Sequence, residues 1–233
     1  MSAYKKAPAK TYKKRKTISK SARRGATRGQ VYGAAAGQLY KDVKLLKSML
    51  NVEYKVVDTA IVQQSIPQTP IVTIYNPLQL GTDYTQRNGR QVKFTSLYHR
   101  ITFQAPATQN IPQFVRFVLF WYKDPSGTAP TPLQMFGSAS PNINNMMNLN
   151  TRKDFIILED EILRIDSNSA GSPSQLLNKY FKLDQHTIYG NTSLGTIADI
   201  ESYALCSFCW STGVGAPQQP IIEATVRMRY LDN

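Results

Sequence analysis

The sequence predicts an all-β protein: an eight-stranded antiparallel jelly roll, a two-sheet sandwich, carrying a basic N-terminal arm and a short amphipathic helix. Three observations carry this reading. From Val52 onward, runs of β-branched and aromatic residues recur at short intervals. Proline- and glycine-rich connections (DPSGTAPTP, NSAGSPSQ, STGVGAPQQP) separate those runs. No segment among them has the length and period of a helix that could connect parallel strands.

The strands follow in order. VEYKVVDTAIVQQ and IVTIY open the series, followed by RQVKFTSLYHRITFQ and QFVRFVLFWYK; DFIILED and EILRID come in close succession, then NKYFKLDQHTIY, SYALCSFCWS and IIEATVRMRYLD. The last alternates cleanly, with Ile222, Ala224, Val226, Met228 and Tyr230 on one face and Glu223, Thr225, Arg227 and Arg229 on the other. In a jelly roll the last strand lies beside the third, and this predicts that Arg227 and Arg229 lie near Arg116 of QFVRFVLFWYK. Together these arginines form either a cationic floor for phosphates or local and intersubunit pairs. The connection from Asp124 to Arg152 is too long for a bare hairpin, so contacts of its own are expected, with TPLQMF forming one helical turn. Glu159, Asp160 and Glu161, the densest acidic cluster, read as a hairpin tip rather than a metal site, because adjacent strand residues splay to alternate faces.

Ahead of the strands the composition changes. Residues 4–29 carry eleven lysines and arginines (Lys5, Lys6, Lys10, Lys13, Lys14, Arg15, Lys16, Lys20, Arg23, Arg24 and Arg28) and no acid. That leaves 17 basic residues against all 15 acidic ones in the rest of a chain of net charge +13, so the basicity is an appendage. Such a segment has too little apolar surface to fold alone. It is either a solvating tail or a polyanion-binding arm, and the lack of an aromatic or leucine-rich face points to nucleic acid rather than a membrane. Lys13, Lys14, Arg15 and Lys16 also match a nuclear-import signal, a tetrad that any basic arm supplies by chance.

The sequence therefore divides into a disordered nucleic-acid-binding arm over 1–30, a linker with a short amphipathic helix over 31–51, and a shell-like β domain over 52–233. In the helix, Leu39, Val43, Leu46 and Leu50 share one face, while Lys41, Lys44 and Lys47 occupy the other and face either solvent or the same polyanion. No apolar run approaches the ~18 residues of a transmembrane helix, and no secretory signal is visible. Cys206 and Cys209 lie three apart in a strand, a spacing that suits buried small hydrophobes better than a redox pair or joint metal ligation. His99 and His186 are the two histidines, and His99 sits mid-strand as a structural or interface residue. No P-loop, G-x-S-x-G or H-E-x-x-H occurs, so no enzyme is indicated and no catalytic residue is assigned.

Three stretches, NPLQLGTDYTQRNGRQVKFTSLYHRITFQ, FVRFVLFWYKDPSGTAPTPLQMF and KDFIILEDEI, resemble in order and spacing the capsid proteins of small icosahedral viruses. The resemblance is to the satellite tobacco necrosis virus type, a module also found in small circular single-stranded DNA viruses that encode a replication initiator. It covers about residues 50–165, chiefly Gly81 to Val92 and Phe120 to Asp124. It implies a homo-oligomeric T=1-like shell of about sixty copies with the basic arm inside, a single-stranded genome as partner, DNA in preference to RNA, and residence in the virion and, during assembly, the host nucleus. It also raises structural calcium between subunits, through carbonyls around Asn88 and Gln91 and the carboxylate of Asp232. Thr82 stands where some relatives carry a further aspartate, which removes the most charged ligand. The alternative is a non-viral monomeric nucleic-acid-binding module with a basic tail, against which stands a near-neutral body with no evident basic groove or solvent-facing aromatic platform.

Overall fold

The structure, a computed structural model, describes residues 36–45, 53–168, 171 and 173–232. A helix over 36–45, α1, exposes Lys41 and Lys44. The remaining positions of its expected apolar and basic faces, Leu46, Leu50 and Lys47, lie outside the described residues. The compact unit Val52–Asn233 holds nine strands among its described residues: β1 (Glu53–Ser65), β2 (Ile71–Ile74), β3 (Gln91–Gln104), β4 (Gln113–Tyr122), β5 (Phe155–Ile165), β6 (Ser174–Tyr189), β7 (Ile200–Ser202), β8 (Ala204–Ser211) and β9 (Ile221–Asp232).

Two antiparallel sheets form, ordered β1-β9-β3-β6-β7 and β2-β8-β4-β5. Setting aside β7, the pairs β1 with β9, β2 with β8, β3 with β6 and β4 with β5 are the nested hairpins of a rolled-up ribbon, which is the jelly roll. The last strand does lie beside the third. Between the sheets, alternate residues interdigitate: Phe94 of β3 meets Trp121 of the opposite sheet at 6.0 Å and its own-sheet neighbour Tyr230 at 5.7 Å, and Phe103 meets Phe117 at 6.4 Å.

The two outer faces differ. Every residue of β8 is buried, and so is β4 apart from Phe114, because the long connection after β4 folds over the four-stranded sheet. Its helical turn, α2 (Pro132–Phe136), starts at Thr131 in a reciprocal capping box with Gln134 and stops at Gly137 in the left-handed region, φ 71°. Phe136 then stacks edge-on against Trp210 at 5.2 Å, while Phe120 meets Phe155 and Phe208 beneath the same cover.

Three expectations are corrected. β7 is a ninth strand, set off from β8 by Tyr203, whose φ of 57° turns the chain from one sheet to the other. DFIILED and EILRID are one strand, β5, rather than a hairpin with an acidic tip. A register shift opposite Leu119 and Phe120 turns Glu159 toward the inter-sheet space and Asp160 to the covered outer face, where each finds a basic partner. Finally, Arg116 is not near Arg227 and Arg229. It lies in β4, in the other sheet, 6% exposed beneath the cover. The short connection from Ala105 to Pro112 carries the chain between sheets, which separates this arginine from the strand that neighbours β9.

The segment Gly81–Val92 is organised by Arg87, which is fully buried. Its guanidinium donates to the carbonyls of Leu78 (3.2 Å), Gly89 (2.8 Å), Gly190 (3.1 Å) and Thr192 (2.8 Å) and lies over the Tyr189 ring at 4.7 Å. These carbonyls belong to the approach to β3 and the exit of β6, so one side chain ties two loops together. Arg87→Met should lower stability by about 3 kcal/mol or more in urea denaturation, since it strands buried carbonyls. Arg87→Lys, with fewer donors in a different geometry, should recover only part of the loss.

Candidate nucleic-acid interface

The five-stranded sheet keeps its outer face open among the described residues. Alternation on β9 points Arg227 and Arg229 outward, as expected from the sequence, and both are exposed. Strand register sets them in rows: Asp58 of β1, Arg227 of β9, Tyr98 of β3 and Tyr180 of β6 stand abreast. The next row on one side contains Arg229 and Lys182, and on the other Arg100 and Asn178. Asp58 grips Arg227 with two hydrogen bonds, Nε to Oδ1 at 2.8 Å and Nη2 to Oδ2 at 2.6 Å; the guanidinium holds the Asp58 carboxyl below its usual range. Arg100, Lys182 and Arg229 make no ion pair among the described residues.

At the β1 side this face runs into an open cleft of about 980 Å³, bordered by Tyr54, Tyr84, Arg227 and Arg229. Tyr54, Tyr84 and Tyr180 are 71, 60 and 63% exposed and Tyr98 37%. A basic, aromatic-lined surface therefore exists, contrary to the sequence reading. Its signal was available: Tyr98 shares strand parity with Arg100 and Thr102, and Tyr180 with Asn178 and Lys182, so each is an aromatic at a polar position.

The other predicted cations are placed differently. Lys5, Lys6, Lys10, Lys13, Lys14, Arg15, Lys16, Lys20, Arg23, Arg24 and Arg28 lie outside the described residues. Arg116 is committed to structure: its guanidinium binds both oxygens of Asp160 at 2.7 and 2.6 Å, donates to the carbonyls of Ile143 (3.0 Å) and Asn145 (2.7 Å), and lies over the rings of both Phe136 and Trp210. No edge of it is left for a phosphate.

The calcium positions do not fit that ion. Asp232 Oδ2 lies 3.1 Å from Nζ of Lys55, both side chains being fully buried. The same ammonium donates to the Gln86 carbonyl at 2.9 Å and approaches Asn88 Oδ1 at 3.4 Å, while the Asn88 amide donates to Asp232 at 2.5 Å. A lysine thus already supplies the cation that these oxygens surround. The side-chain amide of Gln91 lies 3.1 Å from His186 Nδ1 and adds no ligand to this group. Lys55→Met should cost about 3–5 kcal/mol by leaving a buried carboxylate unpaired. The melting temperature of the unaltered protein should be the same in calcium and in chelator; a calcium-dependent rise would show that Lys55 gives way to the ion.

A second ionic group sits between the sheets, where β5 and β6 face each other. His99 Nε2 lies 3.2 Å from Glu159 Oε2, and Lys179 reaches Glu159 and Glu161 at 2.7 Å each. The imidazole is packed by Phe117 and Phe181. Burial, reinforced by Lys179, pushes His99 down to about 4; burial also raises Glu159, against the pull of Lys179. Cys206 and Cys209 are both buried free thiols, raised by desolvation. Because folded His99 resists the proton that the unfolded chain accepts near pH 6.5, its contribution to stability falls as pH drops from about 6.5 to about 4 and then levels; Glu159, shifted upward, works in the opposite sense. Unfolding free energies from urea titrations should therefore fall less across that window for His99→Gln than for the unaltered protein, by up to about 3 kcal/mol.

No family model matches the chain, and no curated protein does. Solved structures to which it is similar include one of Desmodium yellow mottle tymovirus, at 12% identity over 77% of this chain and 80% of that one, with a TM-score of 0.31. Another is the 60-mer BFDV capsid protein, at 12% identity over 77% of this chain and 93% of that one, TM-score 0.29. A third, of infectious bursal disease virus Gx strain, is 9% identical over 77% of this chain and 33% of that one, TM-score 0.26. Similarity this distant does not transfer a function, so the assignment rests on the chain's own topology and charge.

Proposed function

We propose that this chain is a capsid protein that self-assembles into a T=1-like shell of about sixty copies and packages a single-stranded genome, DNA in preference to RNA, through its basic arm. The observation that carries the reading is the segregation of charge: eleven cations and no acid in residues 4–29, joined to a jelly roll of nearly balanced charge. A jelly roll alone also serves lectins and cupins, so the fold does not decide the matter. A shell subunit has to pack against copies of itself without electrostatic repulsion and still neutralise a polyanion, and a neutral body with a cationic arm meets both demands. About sixty arms would bring roughly 660 positive charges, enough for a genome on the order of one kilobase by simple neutralisation. Residence in the virion follows, with passage through the host nucleus if Lys13, Lys14, Arg15 and Lys16 act in import.

The open face of tyrosines and arginines also suits the second reading, a monomeric nucleic-acid-binding module. Sedimentation separates the two. The purified protein should run as closed particles visible by electron microscopy, containing nucleic acid that survives nuclease, whereas deletion of residues 1–30 should remove most of that nucleic acid or scramble its packaging. A species of about 26 kDa at every salt and pH tried, with or without added nucleic acid, would favour the module.

A further inference from the structure

We infer that the outer face of the five-stranded sheet, with the cleft beside it, binds single-stranded nucleic acid by stacking unpaired bases on tyrosine. This deepens the capsid reading and rests on it, because it assumes that the chain meets a single strand. The four side chains that carry it are Tyr98 and Tyr180, directly opposite each other across β3 and β6, and Tyr54 and Tyr84 at the cleft. Tyrosines on the solvent face of a sandwich contribute nothing to the core between its sheets, and three of these four are more than half exposed.

The occupant follows from what surrounds the rings. Arg229, Arg100 and Lys182 flank the tyrosine row from both sides without ion pairs among the described residues, and Arg227 is held upright in the row by Asp58. Cations within one strand spacing of exposed aromatic faces suit a ligand that alternates negative charge with flat apolar rings. Duplex is disfavoured because its bases are already stacked on one another. A second copy of the chain docking face to face would set these cations against their own like, which disfavours a self-interface. Base contacts of this kind are tolerant of sequence, since every base offers a π-face, and they add affinity that salt does not screen, unlike the contacts of the arm.

The test uses the full chain, oligothymidylate carrying 5-iodouracil, and two double variants. Tyr98→Ser with Tyr180→Ser should weaken binding about tenfold or more. The slope of log affinity against log salt should stay unchanged, because no phosphate contact is lost. Tyr98→Phe with Tyr180→Phe, which keeps the rings, should bind like the unaltered protein. Photocrosslinks should map to Tyr98, Tyr180, Tyr54 or Tyr84. Crosslinks confined to residues 1–30, together with unchanged affinity of the serine variant, would overturn the stacking site and leave the arm as sole binder. Loss of particles without loss of affinity would reassign the face to subunit contact and likewise overturn it. A full chain that does not bind the oligonucleotide at all would instead count against the capsid reading itself.

Discussion

The pairing of Arg116 with Asp160 decides which of the two sheets is covered and which keeps an open outer face. Both residues project from the outer face of the four-stranded sheet, and the guanidinium spends two further donors on the carbonyls of Ile143 and Asn145. The connection after β4 is thereby fastened over the sheet, with Phe136 and Trp210 packed beneath. Once that face is closed, the strands under it are free to be largely apolar on both sides, which is why residues 117–122 of β4 show no polar alternation and β8 is broken only by Ser207 and Ser211. The other sheet has no such cover among its described residues, and its outer face keeps the alternation of a surface that meets water.

Much of this was legible in the sequence. The alternation of β9, the chain of turn-rich connections and the helical turn at TPLQMF all follow from local chemistry, and the structure has them where they were expected. What local chemistry did not reveal was which side chains would find each other across the sandwich. Arg116 has the parity of an exposed residue on its strand, and only the tertiary cover turns it into a buried clamp. Glu159, Asp160 and Glu161 look like a turn because three consecutive acids are costly in a strand. They are tolerated because the register shift sends the middle one to Arg116 and its neighbours to Lys179. The short β7 was hidden by Tyr203, since no simple pattern marks a tyrosine with positive φ.

The candidate site was half visible. Arg227 and Arg229 could be assigned to a polar strand face from sequence alone, but their companions come from β1, β3 and β6 and depend on register. A shift of one residue in the pairing of β3 would send Tyr98 inward and His99 outward, dismantling both the aromatic row and the ionic group between the sheets at once. The open face and the buried histidine are thus two readouts of a single register.

Lys55 has a different kind of consequence. Where a captured metal ion closes a junction, the junction answers to the medium: it fills and empties with ion activity and can be a handle by which the surroundings loosen a protein. Here the positive charge is covalent, fixed at translation, and sits on the first strand of the domain against a carboxylate at the end of the last. That corner ties the first strand of the β domain to the last with a charge the protein carries itself, so its closure does not depend on the supply of an ion.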